Sequence, residues 1–324
     1  MDRRDFLGSV AGSLLAVPLA ARAQNSSLPV IGFVSGQSPG PWAQYVVAFR
    51  SGLNEAGYVE GKNVAIEFRW AEGHYDRLPA LVADLVRRQV AVLFVAGGGL
   101  REAKSATTTI PIVFTTGSDP AEAGLVSSLA RPGGNATGVS FVPDELSAKR
   151  VELLHQSVPR ATVIAMVLNP LGISESRARR VQEAARSFGL QLHVLNASTK
   201  QEIDAAFATM AKLRTGALIV DSDPFFNAHR DQFVALAARY GIPAIYDTRE
   251  TIVAGGLMSY AGSIPEVYRQ AGIYTGRILK GATPADLPIL QPTKVEFVIN
   301  LKTAKALGLT IPQSLLLRAD DVIQ

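Results

Sequence analysis

From residue 29 onward, short apolar runs alternate with amphipathic stretches. The run VIGFV at 30–34 closes on SGQSPG; residues 46–53 then place apolar side chains at helical spacing and stop at Gly57. Residues 64–70 alternate as a half-buried strand, and 76–89 are amphipathic. The next run, VAVLFV at 90–95, is continuously apolar and ends in three glycines, Gly97, Gly98 and Gly99. A short helix is expected over 103–109 and a strand over 112–114. The second half repeats the alternation: strands at 161–168, 190–195, 217–220 and 244–246, with helices over 174–188, 202–214 and 230–240. Runs that are apolar on both faces and alternate with helices imply parallel sheets with helices on each side, an α/β fold.

A Pro/Gly-rich passage, RPGGNATG at 131–138, separates the halves. After Glu250 come GGLMSY, a helix over 264–280, a Pro-rich passage over 283–292, and a strand and helix over 295–307. One more helix for one half and one more strand for the other require three crossings, hence a hinge with a cleft. The expected lobes are 28–140 plus 257–284 and 141–256 plus 285–324. A length of 324 residues also favours two cores over one.

The first residues read as an address. MDRRDFLGSVAGSLLAVPLAARAQ has paired arginines, an apolar stretch over 6–20 and the triplet Ala21-Arg22-Ala23, the pattern of a cleaved secretory signal over 1–23. RRDFL is similar to a twin-arginine signal, and the apolar stretch is too short and too interrupted for a membrane span. Loss of this segment removes three arginines and two aspartates and lowers the formal charge from +4 to +3. With no Lys/Arg stripe, nothing points to nucleic acid. There is no cysteine, which excludes thiolate metal sites and a cysteine nucleophile.

Parallel sheets bind ligands beyond the carboxyl ends of their strands. Here those ends are Ser35 and Gly36, Gly97 to Gly99, Thr115, Thr116 and Ser118, Asn169, Asp221 to Asp223, and Asp247. Hydroxyls, bare backbone amides and single carboxylates suit a small polar or zwitterionic molecule; the same residue types also serve simply to turn the chain. Phe225 and Tyr246 stand beside such loops, as do Trp42, Tyr45, Phe226 and Tyr260, and could stack on a planar ligand. Phe114 and Phe141 are assigned to the core. The four histidines are scattered, and no phosphate loop, nucleophile elbow or zinc motif occurs. No catalytic residue, metal or cofactor is expected.

Five stretches carry a resemblance: GLNEAGYVEGKNVAIEFRWAEGHYDRLPALVADLV, IPIVFTTGSDPAEAGLVSSLARPGGNATGVSF, DPFFNAHRDQFVALAARYGIPAIYDTRE, GGLMSYAGS and KVEFVINLKTAKALGL. In this order they resemble ABC-transporter substrate-binding proteins of the tryptophan/tyrosine-type group. The resemblance implies the type I periplasmic binding fold, two Rossmann-like lobes with parallel sheets joined by a three-crossing hinge. It also implies a periplasmic location, a small-molecule ligand and a membrane permease as partner. For the ligand carboxylate it implies Gly98, Gly99, Thr115, Thr116 and Ser118, and for the ammonium Asp223 or Asp247, with Glu250 third. The three glycines depart from the Ser or Thr that many amino-acid binders carry there. An aromatic amino acid is the first ligand expected, an aromatic carboxylate or branched amino acid the second. An exported two-lobe enzyme, or a sensor domain for a receptor kinase, stays open beside transport.

Overall fold

The computed structural model describes residues 28–117, 119–141, 145–171, 175–291 and 295–324. The expected signal and cleavage site, and Ser118, lie outside the described residues. The first sheet takes β1 (Val30–Ser35), β2 (Ala65–Trp70), β3 (Val92–Ala96), β4 (Ile112–Thr116) and β5 (Ala136–Ser140). Its order is β2-β1-β3-β4-β5, with every pairing parallel. The second sheet takes β6 (Val163–Leu168), β7 (Gln191–Asn196), β8 (Ala217–Val220), β9 (Ala244–Tyr246), β10 (Met258–Gly262), β11 (Val295–Asn300) and β12 (Asp321–Ile323). Its order is β12-β11-β10-β9-β8-β6-β7, antiparallel only between β10 and β11.

Helices cover both faces of each sheet, which is why the central strands are buried end to end. On the first sheet, α1 (Pro39–Glu55) covers one face, and α2 (Leu78–Arg87) and α3 (Leu100–Ala106) the other. The second sheet is covered by α4 (Glu145–Ser157) and α5 (Glu175–Ser187) on one face, and by α6 (Lys200–Lys212), α7 (Pro224–Ala228), α8 (Arg230–Tyr240) and α9 (Arg249–Val253) on the other. Helix α10 (Ile264–Leu279) returns to the first lobe and packs along α1. Glycine permits that approach: a Cβ on Gly52 would lie 1.8 Å from the Arg269 carbonyl oxygen, and one on Gly272 2.1 Å from that of Phe49. The pair carries Trp42 and Tyr268 to the edge of the cleft. Helices α11 (Leu301–Ala306) and α12 (Gln313–Leu316) complete the second lobe. Among the described residues, no helix is long and apolar enough to cross a membrane.

Several expectations shift. Strand β5 lies partly inside the passage read as a boundary; its glycine is structural, since a Cβ on Gly138 would meet the Phe114 carbonyl at 2.1 Å. The segment expected to leave the second lobe at residue 257 stays as β10, held on both sides by β9 and β11. Residues 285–290, expected in the second lobe, remain on the first: Leu290 bridges Val139, and Thr137 Oγ1 donates to the Leu287 carbonyl. The chain therefore passes between sheets after Ser140, after Gly262 and after Leu290. Helix α3 starts directly at Leu100, because Gly99 takes the left-handed conformation at its N-cap.

Candidate functional site

The carboxyl ends of β1, β3 and β4 form the first-lobe wall of a cavity of about 150 Å³ between the lobes. A cavity of that size takes up a benzene ring. Gly97, Gly98 and Gly99 all have positive φ (60°, 95° and 85°). At Gly98 an added Cβ would lie 2.9 Å from the Tyr75 ring, so glycine lets that ring rest on the backbone. Leu100, Arg101 and Glu102, in the first turn of α3, line the same cavity. Thr115 and Thr116 line it from β4, and Thr115 is buried beside the Tyr268 hydroxyl. Trp42, Tyr75, Phe141 and Tyr268 supply aromatic surface. Trp42 Nε1 donates to the Tyr268 hydroxyl at 2.7 Å, which fixes both rings.

The opposite wall is charged. Arg177, in the first turn of α5, donates through Nε and Nη2 to both oxygens of Asp221 at 2.7 Å, and through Nη2 to the Ser222 carbonyl. Burial opposes its charge, but Asp221 overrides burial and holds the guanidinium above its ordinary value. Asp223 N-caps α7, accepting from Phe225 N–H at 2.8 Å, and also accepts from Asn169 Nδ2 at 3.0 Å. Burial nonetheless pushes its carboxyl up to about 6. Behind it, Ser222 Oγ donates to Asp247 at 2.5 Å, and burial raises the Asp247 carboxyl too. Arg150, buried on α4, donates to the Tyr260 carbonyl, while its Nη2 has no partner; burial lowers its pKa and Asp247 opposes that. Three carboxylates thus face two guanidiniums, an excess of one negative charge when all are ionised.

The lobes touch directly across the cavity. Tyr75 Oη donates to Asp223 Oδ2 at 2.7 Å, and Arg177 Nη1 to the Gly117 carbonyl at 2.6 Å. Gln44 donates to Glu250 at 3.0 Å, and Arg180 pairs with Glu122. The geometry is that of a closed cleft. Among the described residues no cluster of His, Asp or Glu is arranged to hold a metal.

The sequence profile of the ABC transporter substrate binding proteins matches residues 27–323. The chain belongs to that family. Among characterised relatives, a tyrosine-binding protein of Clostridioides difficile (strain R20291) is 26% identical over 264 residues, 81% of this chain and 75% of that protein. An ABC domain from Streptococcus pneumonia, solved in complex with L-Trp, is 27% identical with a TM-score of 0.85, over 92% of this chain and 100% of the other. A conserved domain protein of Vibrio cholerae O1 biovar eltor is 25% identical with the same TM-score, over 90% and 99%. The fold of this substrate-binding protein is therefore the type I periplasmic binding fold, and its characterised relatives are solute-binding proteins.

Of the candidate residues read from the sequence of this substrate-binding protein, Trp42, Gly97, Gly98, Gly99, Thr115, Thr116, Ser222 and Asp223 line one cavity. Others do not, among them Tyr45, Asp221, Phe226 and Tyr260. Ser35 turns inward, its Oγ accepting Gln37 N–H, and Gly36 packs on the Gly97 carbonyl. Asn169 is buried behind Asp223 and positions it. Asp247 is held in the second row by Ser222. Phe225 and Tyr246 are packed into the core between the second sheet and α8, because the phase of α7 and the end of β9 turn them inward. Conversely, Phe141, assigned to the core, lines the cavity. Sequence reasoning missed Arg177, Tyr75, Gln37, Asn227 and Tyr268. Arg177 did leave a signal: it shares the inward stripe of α5 with Val181, Ala184 and Ala185, where a cation must have a buried partner.

Proposed function

We propose that this protein captures an aromatic amino acid in the cavity between its lobes and delivers it, outside the cytoplasmic membrane, to an ABC importer. The observation that carries the reading is the pairing of two unlike walls in one cavity. Backbone amides of Gly98 and Gly99 and the hydroxyls of Thr115 and Thr116 suit a carboxylate. Across from them Asp223, in a cluster one negative charge in excess, suits an ammonium. Between them lie Trp42, Tyr75, Phe141 and Tyr268, a surface for a planar ring. Relatives described as tyrosine-binding and as bound to L-Trp support this ligand class. The export pattern of residues 1–23 and the family support a periplasmic location.

Binding needs no chemistry. A ligand touching both walls favours the closed arrangement, and the closed protein is what a permease receives. Thermal unfolding of the protein with L-Trp, L-Tyr, L-Phe, L-Leu and benzoate tests the reading. Ligand at a hundredfold its Kd stabilises by about 2.7 kcal/mol, so at least one aromatic amino acid should raise Tm by several degrees. An unchanged Tm with the whole panel refutes the ligand class.

A further inference from the structure

Two carboxamides line the cavity with their side chains uncommitted. Gln37, which follows β1 on the first lobe, is 4% exposed, and Asn227, on α7 of the second, is 8% exposed. Their hydrogen bonds use backbone atoms only. Gln37 N–H donates to Ser35 Oγ at 3.1 Å, and its carbonyl accepts from Glu72 N–H. Asn227 N–H donates to the Asp223 carbonyl, and its own carbonyl accepts from Arg230. Neither side-chain amide has a protein partner among the described residues.

Both stand at the Asp223 end of the cavity. Gln37 Cγ and Pro224 Cγ each lie 3.2 Å from where a Cβ on Gly97 would stand, and Gln37 Nε2 lies 3.4 Å from it. Asn227 is one turn beyond Asp223 and Pro224 in α7. Asp223 itself is nearly filled. It accepts from Tyr75 Oη at one oxygen, and from Asn169 Nδ2 and Phe225 N–H at the other. A carboxylate has about four lone-pair positions, so about one is left for a ligand. A primary ammonium carries three N–H donors, and a buried donor left unpaired is costly. Two more acceptors are therefore needed beside Asp223. The side-chain oxygens of Gln37 and Asn227 can supply them, since a half-turn about the terminal bond brings an amide oxygen round to a ligand. Being uncharged, they add acceptors without adding another desolvated charge.

We propose that Gln37 and Asn227 complete, with Asp223, a three-acceptor cage for the ligand's ammonium, and that this cage selects a primary amine over an N-methylated one. The assignment rests on the reading of the cavity as an aromatic amino-acid site. Gln37 belongs to the first lobe and the other two to the second, so the cage is whole only in the closed arrangement, and the ammonium itself favours closure.

Calorimetric titration of the full-length chain with L-Trp, L-Tyr and their Nα-methyl derivatives, in the wild type and in Gln37→Leu and Asn227→Leu, tests it. Circular dichroism and melting of each unliganded variant check that it is folded. An N-methyl ammonium keeps two N–H donors and each variant keeps two acceptors, so methylation should stop mattering once one carboxamide is gone. The wild type should bind the parent amino acid about tenfold or more tightly than its methyl derivative, and each folded variant should bring that ratio below about threefold. If the carboxamides are only structural, if they hold the carboxylate instead, or if the methyl group is merely too bulky, the ratio survives in both variants, which overturns the assignment. Equal wild-type affinity for parent and derivative also overturns it, while leaving the amino-acid site standing. If neither amino acid nor its derivative binds the wild type, both readings fall together. Should one leucine variant not fold, the wild-type ratio and the other variant decide the matter.

Discussion

The first lobe meets the cavity with glycines, threonines and aromatic rings; its charged side chains there, Arg101 and Glu102, sit in the first turn of α3, where Arg101 is exposed. The second lobe meets it with Arg177, Ser222 and Asp223, all buried, backed by Asp221, Asp247 and Arg150. One wall recognises by shape and backbone amides and desolvates no charge. The other holds desolvated charges whose imbalance a cationic group can answer. The walls should therefore fail differently. Damage to the charged groups costs folding or electrostatic affinity, whereas damage to the neutral wall costs fit to the ligand.

The largest effect should come from Arg177→Ala. It strips Asp221 of a two-point partner in a buried setting, and removing one member of such a pair costs about 3–5 kcal/mol. Urea unfolding measures it. The double variant Arg177→Met with Asp221→Leu should recover most of the loss, because no unpaired charge remains. A loss under about 1 kcal/mol for Arg177→Ala would break the contrast, since the charged wall would then matter no more than a surface pair.

Asp223→Asn comes next. Taking away the carboxylate opposite an ammonium should weaken amino-acid binding by about 2–5 kcal/mol, about thirtyfold or more in Kd, with little change in fold because Asn still caps α7. The pH dependence sharpens the point. The Asp223 carboxyl sits at about 6 in the unliganded protein, above its ordinary value of 3.8. Its proton is thus held in the folded state between these values but not in the unfolded one. Stability from this group is fully present below about 4 and is lost as pH rises through about 6. Binding runs the other way: an ammonium requires the ionised carboxylate, so below pH 6 affinity should fall by up to about tenfold per unit. Calorimetry from pH 5 to 8 reads the slope, and Asp223→Asn should flatten it. A slope unchanged in that variant assigns the titration elsewhere.

Which parts of this were legible in the sequence follows from the same contrast. The fold was, because parallel strands buried on both faces leave apolar runs such as VLFVA that nothing else explains. Gly98, Gly99, Thr115, Thr116 and Asp223 were, because strand ends announce themselves by ending an apolar run. Arg150 was not, and Arg177 was marked only by the apolar stripe it shares with Val181 and Ala185, because on a helix an inward charge is easily lost among outward ones; α5 alone carries several arginines. Phe225 and Tyr246 misled for the reverse reason. Adjacency to a loop does not fix which way a ring turns, and in α7 it is Pro224 and Asn227 that face the cavity while Phe225 and Phe226 face the core. Tyr268 was hidden by distance, since its place depends on α10 returning to pack along α1.

The smallest effect should fall where the two walls touch. Tyr75 Oη crosses the cavity to donate to Asp223 Oδ2, and burial, then Asp223, raise the phenol well above its usual value, so it remains a donor. Tyr75→Phe keeps the ring on Gly98 and removes only the hydroxyl. The closed arrangement loses one hydrogen bond to a charged group, while in the open form water can replace it, so the equilibrium shifts toward open. Binding should weaken by about tenfold or more, an effect of about 1.5–3 kcal/mol. The Tyr75 hydroxyl also holds the Asp223 carboxyl down against burial, so its loss should move the midpoint of the pH–affinity curve upward from about 6. Repeating the pH series on Tyr75→Phe tests both. A weaker affinity with an unmoved midpoint would mean that the tyrosine acts only as a latch between lobes. A midpoint that falls would mean that Asp223 is governed by the charges behind it and not by the wall it faces.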